Sequence, residues 1–172
     1  MKKILLFGMM SMMLLSVSCS TDYIKGTDIE DNEDSRAVFT IFAHYVKGLR
    51  DQTPEVFIPY ISKSYYDNNG TDDPSDDVDY NKIIEILSSD QFHSLKNMDL
   101  VYFIKDLKLD RKAGTAKLLY YFEVRFKRES KLQSEEKDYF VKSDGMTNHK
   151  ISDTNEMAFV REEDEWKVIK GL

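Results

Sequence analysis

Between Thr115 and Lys127 the side chains alternate without a break. Ala116, Leu118, Tyr120, Phe122, Val124 and Phe126 fall on one face, and Lys117, Leu119, Tyr121, Glu123, Arg125 and Lys127 on the other. A period of two with one apolar face predicts a long strand buried on one side. It pairs with 99–109 through the turn Asp110-Arg111-Lys112-Ala113-Gly114, where glycine supplies the positive φ such loops need. Further strands are expected at Lys137 to Lys142, Asn155 to Glu162 and Glu165 to Lys170, the last two joined across a tight acidic turn.

Upstream the period is helical. Val38, Ile41, Phe42, Tyr45, Val46 and Leu49 recur at helix spacing, with Asp34 or Ser35 as N-cap. Thr53-Pro54-Glu55 reads as a cap followed by proline at the first helical position, which predicts a short second helix through Val56 and Phe57 that Pro59 ends. Nothing apolar lies between Asp67 and Asp77, so this stretch reads as a solvated loop. Tyr80, Ile83, Ile84, Ile86 and Leu87 then mark a third helix capped by Asp79. Helices followed by an antiparallel meander make an α+β domain.

The first residues follow neither period. Lys2 and Lys3 precede an apolar run from Ile4 to Val17, a basic segment followed by a hydrophobic one, as in a secretory signal peptide. At fourteen residues the run is shorter than the roughly 20 that span a bilayer as a helix. Ser16 and Ser18 are the small residues expected before a cleavage point, and Cys19 is the only cysteine. Leu15-Ser16-Val17-Ser18-Cys19 resembles the lipobox of bacterial lipoproteins, although Ser16 stands where leucine is commonest. The resemblance implies a signal peptide at 1–18, a diacylglyceryl group on Cys19, and membrane attachment in the cell envelope. By the same resemblance, Ser20 after the cysteine favours the outer membrane. Ordinary secretion with a spare thiol is the alternative. Residues 19–34, rich in Asp and Glu, read as a flexible acidic tether, and 35–172 as the folded domain.

The 172 residues carry a formal charge of −7, which becomes −9 once residues 1–18 and their two lysines are gone. That balance argues against nucleic acid or an anionic membrane surface as partner, since both call for a basic face.

The first helix, the second helix leading into Tyr65-Tyr66-Asp67-Asn68-Asn69-Gly70, the long strand with Ala116, and the ending Phe159-Val160-Arg161-Glu162-Glu163-Asp164-Glu165-Trp166-Lys167-Val168-Ile169-Lys170-Gly171 resemble the nuclear transport factor 2-like superfamily. Ketosteroid isomerases and polyketide cyclases share it, in a cystatin-like architecture. The resemblance implies three N-terminal helices packed on a curved antiparallel sheet forming a cone, whose open end is often a ligand cavity.

Chemistry is sparse in the sequence. His44, His93 and His149 fall on different elements without metal-ligand spacing, and no serine elbow or phosphate loop is present. The acids from Asp67 to Asp79 offer the oxygens calcium prefers, but aligning Gly70 with the glycine of a calcium loop puts Tyr65 at the first ligand position. No cofactor and no metal are therefore expected. An isomerase-type reaction needs a carboxylate inside the cone. The Ala116–Phe126 face has none, and Asp106, on the side shared by Leu100, Tyr102 and Ile104, is the acid to test. Aromatic residues are the richer signal: Phe42, Tyr45, Tyr60, Tyr65, Tyr102, Tyr120, Phe122 and Trp166 are the candidate lining of a cavity, with hydroxyls to orient a ligand. Three readings follow. The first is a noncatalytic module that binds a small apolar ligand or a peptide. The second is a structural or interaction protein of the envelope using an exposed sheet face, with Leu119 and Tyr121 on it. The third is an enzyme of the isomerase, dehydratase or cyclase type.

Overall fold

Asn32 opens the first helix: its backbone is extended and its side chain accepts from the Ser35 amide at 3.0 Å. The computed structural model describes residues 21–93, 96–129 and 146–172. Cys19, the signal segment and the strand expected at 137–142 lie outside the described residues. Helix α1 runs Glu33–Asp51, two residues ahead of the expected start. The preceding turn is tied down as well, with Tyr23 bridged to Glu30 and Ile29 buried. The folded domain thus takes in part of the segment expected to be tether.

The expected second helix is instead a pair of 3₁₀ turns, Pro54–Val56 and Ile58–Tyr60, because Pro54 and Pro59 each start a new turn. They press Phe57 onto α1 at Gly48, where a Cβ would lie 2.4 Å from the ring. Strands β1 (Tyr66–Asp67) and β2 (Val78–Asp79) clamp the base of the acidic loop. Asp79 caps α2 (Tyr80–Leu87) by accepting from the Lys82 amide, and the short α3 (Asp90–His93) follows.

Four strands complete the domain: β3 (Lys96–Asp110), β4 (Thr115–Glu129), β5 (Met146–Glu162) and β6 (Glu165–Lys170). They form one antiparallel sheet in the order β3-β4-β5-β6. Strand β5 extends the expected Asn155–Glu162 backwards along the whole of β4. One face of the sheet meets α1 and the 3₁₀ turns. Phe42, Phe57, Leu118, Met157, Phe159 and Val168 are fully buried there.

An irregularity in β3 corrects one expectation. The register shifts between Ile104 and Asp106, so Ile104 pairs with Tyr120 on the inner face while Asp106 pairs with Leu119 on the outer one. A bulge of one residue reverses every side chain beyond it. Asp106 therefore leaves the inner face, is half exposed, and sits 3.8 Å from the Lys108 ammonium.

Candidate functional site

The inner face of the sheet is not filled along its whole length. Between α1, α3 and the middle of β3–β5 lies a cavity of about 270 Å³. Its walls are Phe42, Tyr45, Val46 and Leu49 from α1, Phe92 from α3, Met98, Leu100 and Tyr102 from β3, and Tyr120, Phe122 and Val124 from β4, with Asn155 and Leu172 at its polar end. Phe42 meets Tyr120 and Tyr102 edge to face, and Tyr120 and Phe122 are tilted. Phe42 lies 4.8 Å from Tyr120 and 5.3 Å from Tyr102, and Tyr120 lies 6.1 Å from Phe122.

Five of the eight expected aromatics, Phe42, Tyr45, Tyr102, Tyr120 and Phe122, line this cavity together. The other three do not. Tyr60 stacks on His44 at 5.1 Å, on the covered side of α1. Tyr65 is buried beside the cavity, its hydroxyl accepting from the Leu172 amide at 3.2 Å. Trp166 pairs with Arg161, and Arg161 stands six steps along β5, about 20 Å at 3.3 Å per residue, from Asn155 at the cavity. Its indole Nε1 donates to Asp34 at 3.1 Å, and Asp34 also accepts from Arg111 at 2.9 Å and Arg161 at 3.4 Å. Trp166 thus fixes the start of α1 to the sheet and does not line the cavity, contrary to expectation.

Asn155 and Leu172 escaped the sequence reading. Asn155 stands first in its expected strand, and a single polar residue there gives no period. In the fold it faces Tyr120 across the β4–β5 ladder. Its amide donates to the Tyr120 hydroxyl and to the Gly171 carbonyl, both at 3.2 Å. Phenol chemistry at this end is set by burial. Burial pushes Tyr45 well above its usual pKa, with Tyr120 and then Tyr65 adding to the effect. Burial also raises Tyr120, against the opposing hydrogen bond from Asn155. Tyr65 is pushed up to about 12, mainly by burial and against the amides of Leu172 and Gly171. All three phenols are neutral near pH 7.

The described lining holds no Asp, Glu, His, Lys, Arg or Cys. It offers aromatic surface and neutral hydrogen-bonding groups, and no group that changes charge near neutrality. Among the described residues no three His, Cys, Asp or Glu side chains gather as a metal site. His149, on β5, stacks on Phe126 at 5.2 Å, whereas His44 is on α1.

No protein-family model and no curated protein matches the sequence. Solved structures do match. A ketosteroid isomerase-like protein from Erwinia carotovora atroseptica aligns with a TM-score of 0.56 at 14% identity, over 82% of this chain and 95% of that one. An NTF2-like protein with a cystatin-like fold from Novosphingobium aromaticivorans aligns with a TM-score of 0.55 at 12% identity, over 81% and 79%. The chain has the NTF2-like fold. An NTF2-like protein of unknown function from Shewanella oneidensis is similar to the same extent, with a TM-score of 0.54 at 10% identity over 80% and 96%. At these identities the NTF2-like likeness extends to the fold alone, and activity has to be argued from the cavity.

Proposed function

We propose that this protein is a noncatalytic binding module that holds a small, neutral, apolar ligand in the aromatic cavity, displayed from a lipid anchor at Cys19 in the cell envelope. In this reading the helices and the sheet enclose a cone, and the cavity is its open end. The observation that carries it is the makeup of the wall: five expected aromatics converge there, and among the described residues no Asp, Glu, His, Lys, Arg or Cys side chain joins them. General acid–base chemistry requires a group whose pKa lies near the working pH, and the buried phenols lie far above it. Size narrows the ligand. A cavity of about 150 Å³ accepts benzene, so one of about 270 Å³ suits a compound of roughly two fused rings.

Indole and naphthalene are accordingly expected to bind saturably in calorimetric titrations of the full chain. Val124→Trp, which places a large side chain in the cavity from its half-exposed wall, is expected to abolish the heat of binding with little change in melting temperature. Absence of saturable binding to the unaltered protein removes this reading.

The anchor has its own test. Cys19→Ala is expected to move the protein from the membrane to the soluble fraction, and membrane fractionation that stays unchanged while the signal is still cleaved counts against a lipid on Cys19.

A second reading, an interaction protein, is favoured by one feature. Val101 and Phe103 are 44% and 61% exposed on the outer face of the sheet, where the Phe103 ring lies 6.3 Å from that of Tyr121. An apolar group of this kind on an otherwise charged face suits a protein partner.

A further inference from the structure

Among the described residues, strand β3 is an edge of the sheet, bonded to β4 on one side only. Leu100 to Ile104 is a run of five residues without a charge, and Val101, Tyr102 and Phe103 within it are at least one-third exposed. Natural edge strands are kept from pairing by charges, prolines or bulges placed inside the exposed run. In β3 the irregularities fall outside it, between Lys96 and Asp99 and between Ile104 and Asp106, and the five residues themselves are in unbroken register with β4.

The charges that bound the run have opposite sign, Asp99 at one end and Lys105 at the other. They act on the same side of the sheet. Asp99, Val101 and Phe103 pair with Arg125, Glu123 and Tyr121 on the outer face, and Lys105 lies across that face, its ammonium donating to the Thr154 hydroxyl at 3.0 Å. A two-fold axis at Tyr102 makes this run complementary to itself in antiparallel register. Asp99 then meets the partner's Lys105, Leu100 the partner's Ile104, and Val101 the partner's Phe103, each contact occurring twice. On the inner side a hollow of about 360 Å³ adjoins Tyr102, lined by Ala43, Val46, Lys47, Arg50 and Asp51 of α1. The axis brings the partner's Tyr102 against that hollow.

We propose that two copies of this chain pair edge to edge through antiparallel β3 strands about an axis at Tyr102, joining two four-stranded sheets into one. The Leu100 carbonyl, which now accepts from Arg50 at 3.2 Å, passes to a backbone amide of the partner, and the exposed Arg50 side chain moves aside.

Sedimentation velocity of the full chain in mild detergent, over a dilution series, tests the pairing. The unaltered protein is expected to be a dimer. Asp99→Lys and Lys105→Asp each set like charges opposite one another twice, and each is expected to weaken the dimer by about tenfold or more. The double variant D99K/K105D restores opposite charges and is expected to recover it. A chain that stays monomeric at every concentration overturns the proposal, as does a dimer indifferent to both single reversals or a double variant that fails to recover. A dimer lost in Tyr121→Lys but unchanged by the charge reversals is a stack of outer faces and overturns it equally. Thermal melting of each variant separates lost pairing from lost folding. In a Cys19→Ala background, oxidation of Tyr102→Cys is expected to give a linked dimer, since residues directly opposed across an antiparallel pair have Cα atoms about 4.5–5.5 Å apart, within disulfide reach. Failure of that link in a folded variant also counts against the axis.

Discussion

Replacing Asp34 by alanine is expected to destabilise the domain by about 2 kcal/mol, because the Trp166 indole N–H is then buried without an acceptor and two arginines lose their shared partner. In a domain of this size that lowers Tm by roughly 4–8 °C. The same carboxylate gives stability a pH dependence. Burial works to raise the Asp34 pKa, but the hydrogen bonds from Arg111 and Trp166 and the charge of Arg161 outweigh it and hold the group below the usual carboxylate value. A carboxylate with a depressed folded-state pKa contributes stability that is complete above its unfolded pKa, about 3.9, and is lost as pH falls through the lower folded value. Asp34→Asn keeps an acceptor for the indole but cannot titrate. Urea denaturation of the two proteins between neutral pH and pH 3 should show the unaltered protein losing more stability over the acid limb than the asparagine variant. Parallel acid limbs would mean that Asp34 is not the ion-paired group described here.

The Asp34 cluster also shows what the sequence could and could not convey. Strand β4 was readable because its period of two runs unbroken for thirteen residues, and the α1 stripe was readable for the same reason at helical spacing. Alternation also placed Trp166 on the inner face, correctly. It carries no information about position along the sheet. That was settled by the tight β5–β6 turn at Glu163 and Asp164, both in the left-handed region, which pairs Trp166 with Arg161 at the far end from the cavity. Asp106 failed for a related reason, since one extra residue in β3 reverses its face without changing local composition. The tether boundary was misplaced because Asn32, Asp34 and Ser35 are all acceptable caps by residue type, and only the buried Ile29 and the Trp166–Asp34 bond favour the earlier one. The wall of the cavity was half readable: its aromatics stand out in the sequence, whereas Asn155 and Leu172 acquire their role from strand register alone.

Gly171→Ala is expected to have the largest effect of any single substitution considered, about 4 kcal/mol or more, a fall of roughly 10 °C in Tm. Gly171 has φ +90°, a conformation that L side chains rarely adopt, and a Cβ there would lie 2.2 Å from the Glu156 carbonyl oxygen. The obstruction is backbone, so no rotamer change relieves it, and Glu156 has to move although β4 holds it in register at Leu119. The residue is also held from three directions. Its amide donates to Asp67 at 2.9 Å, its carbonyl accepts from Asn155 at 3.2 Å, and the next amide donates to Tyr65. Displacing it removes the acceptor that holds the Asn155 amide toward Tyr120 and shifts Leu172 in the cavity wall. Stability and ligand binding should therefore fall together. Asp67→Asn offers the contrast, since it weakens one bond to the same segment without touching the backbone, and a loss of about 1 kcal/mol with binding retained is expected. Melting curves and indole titrations on both variants check the account. A Gly171→Ala protein as stable as the original would show that residues 170–172 do not follow this path between β1 and β5.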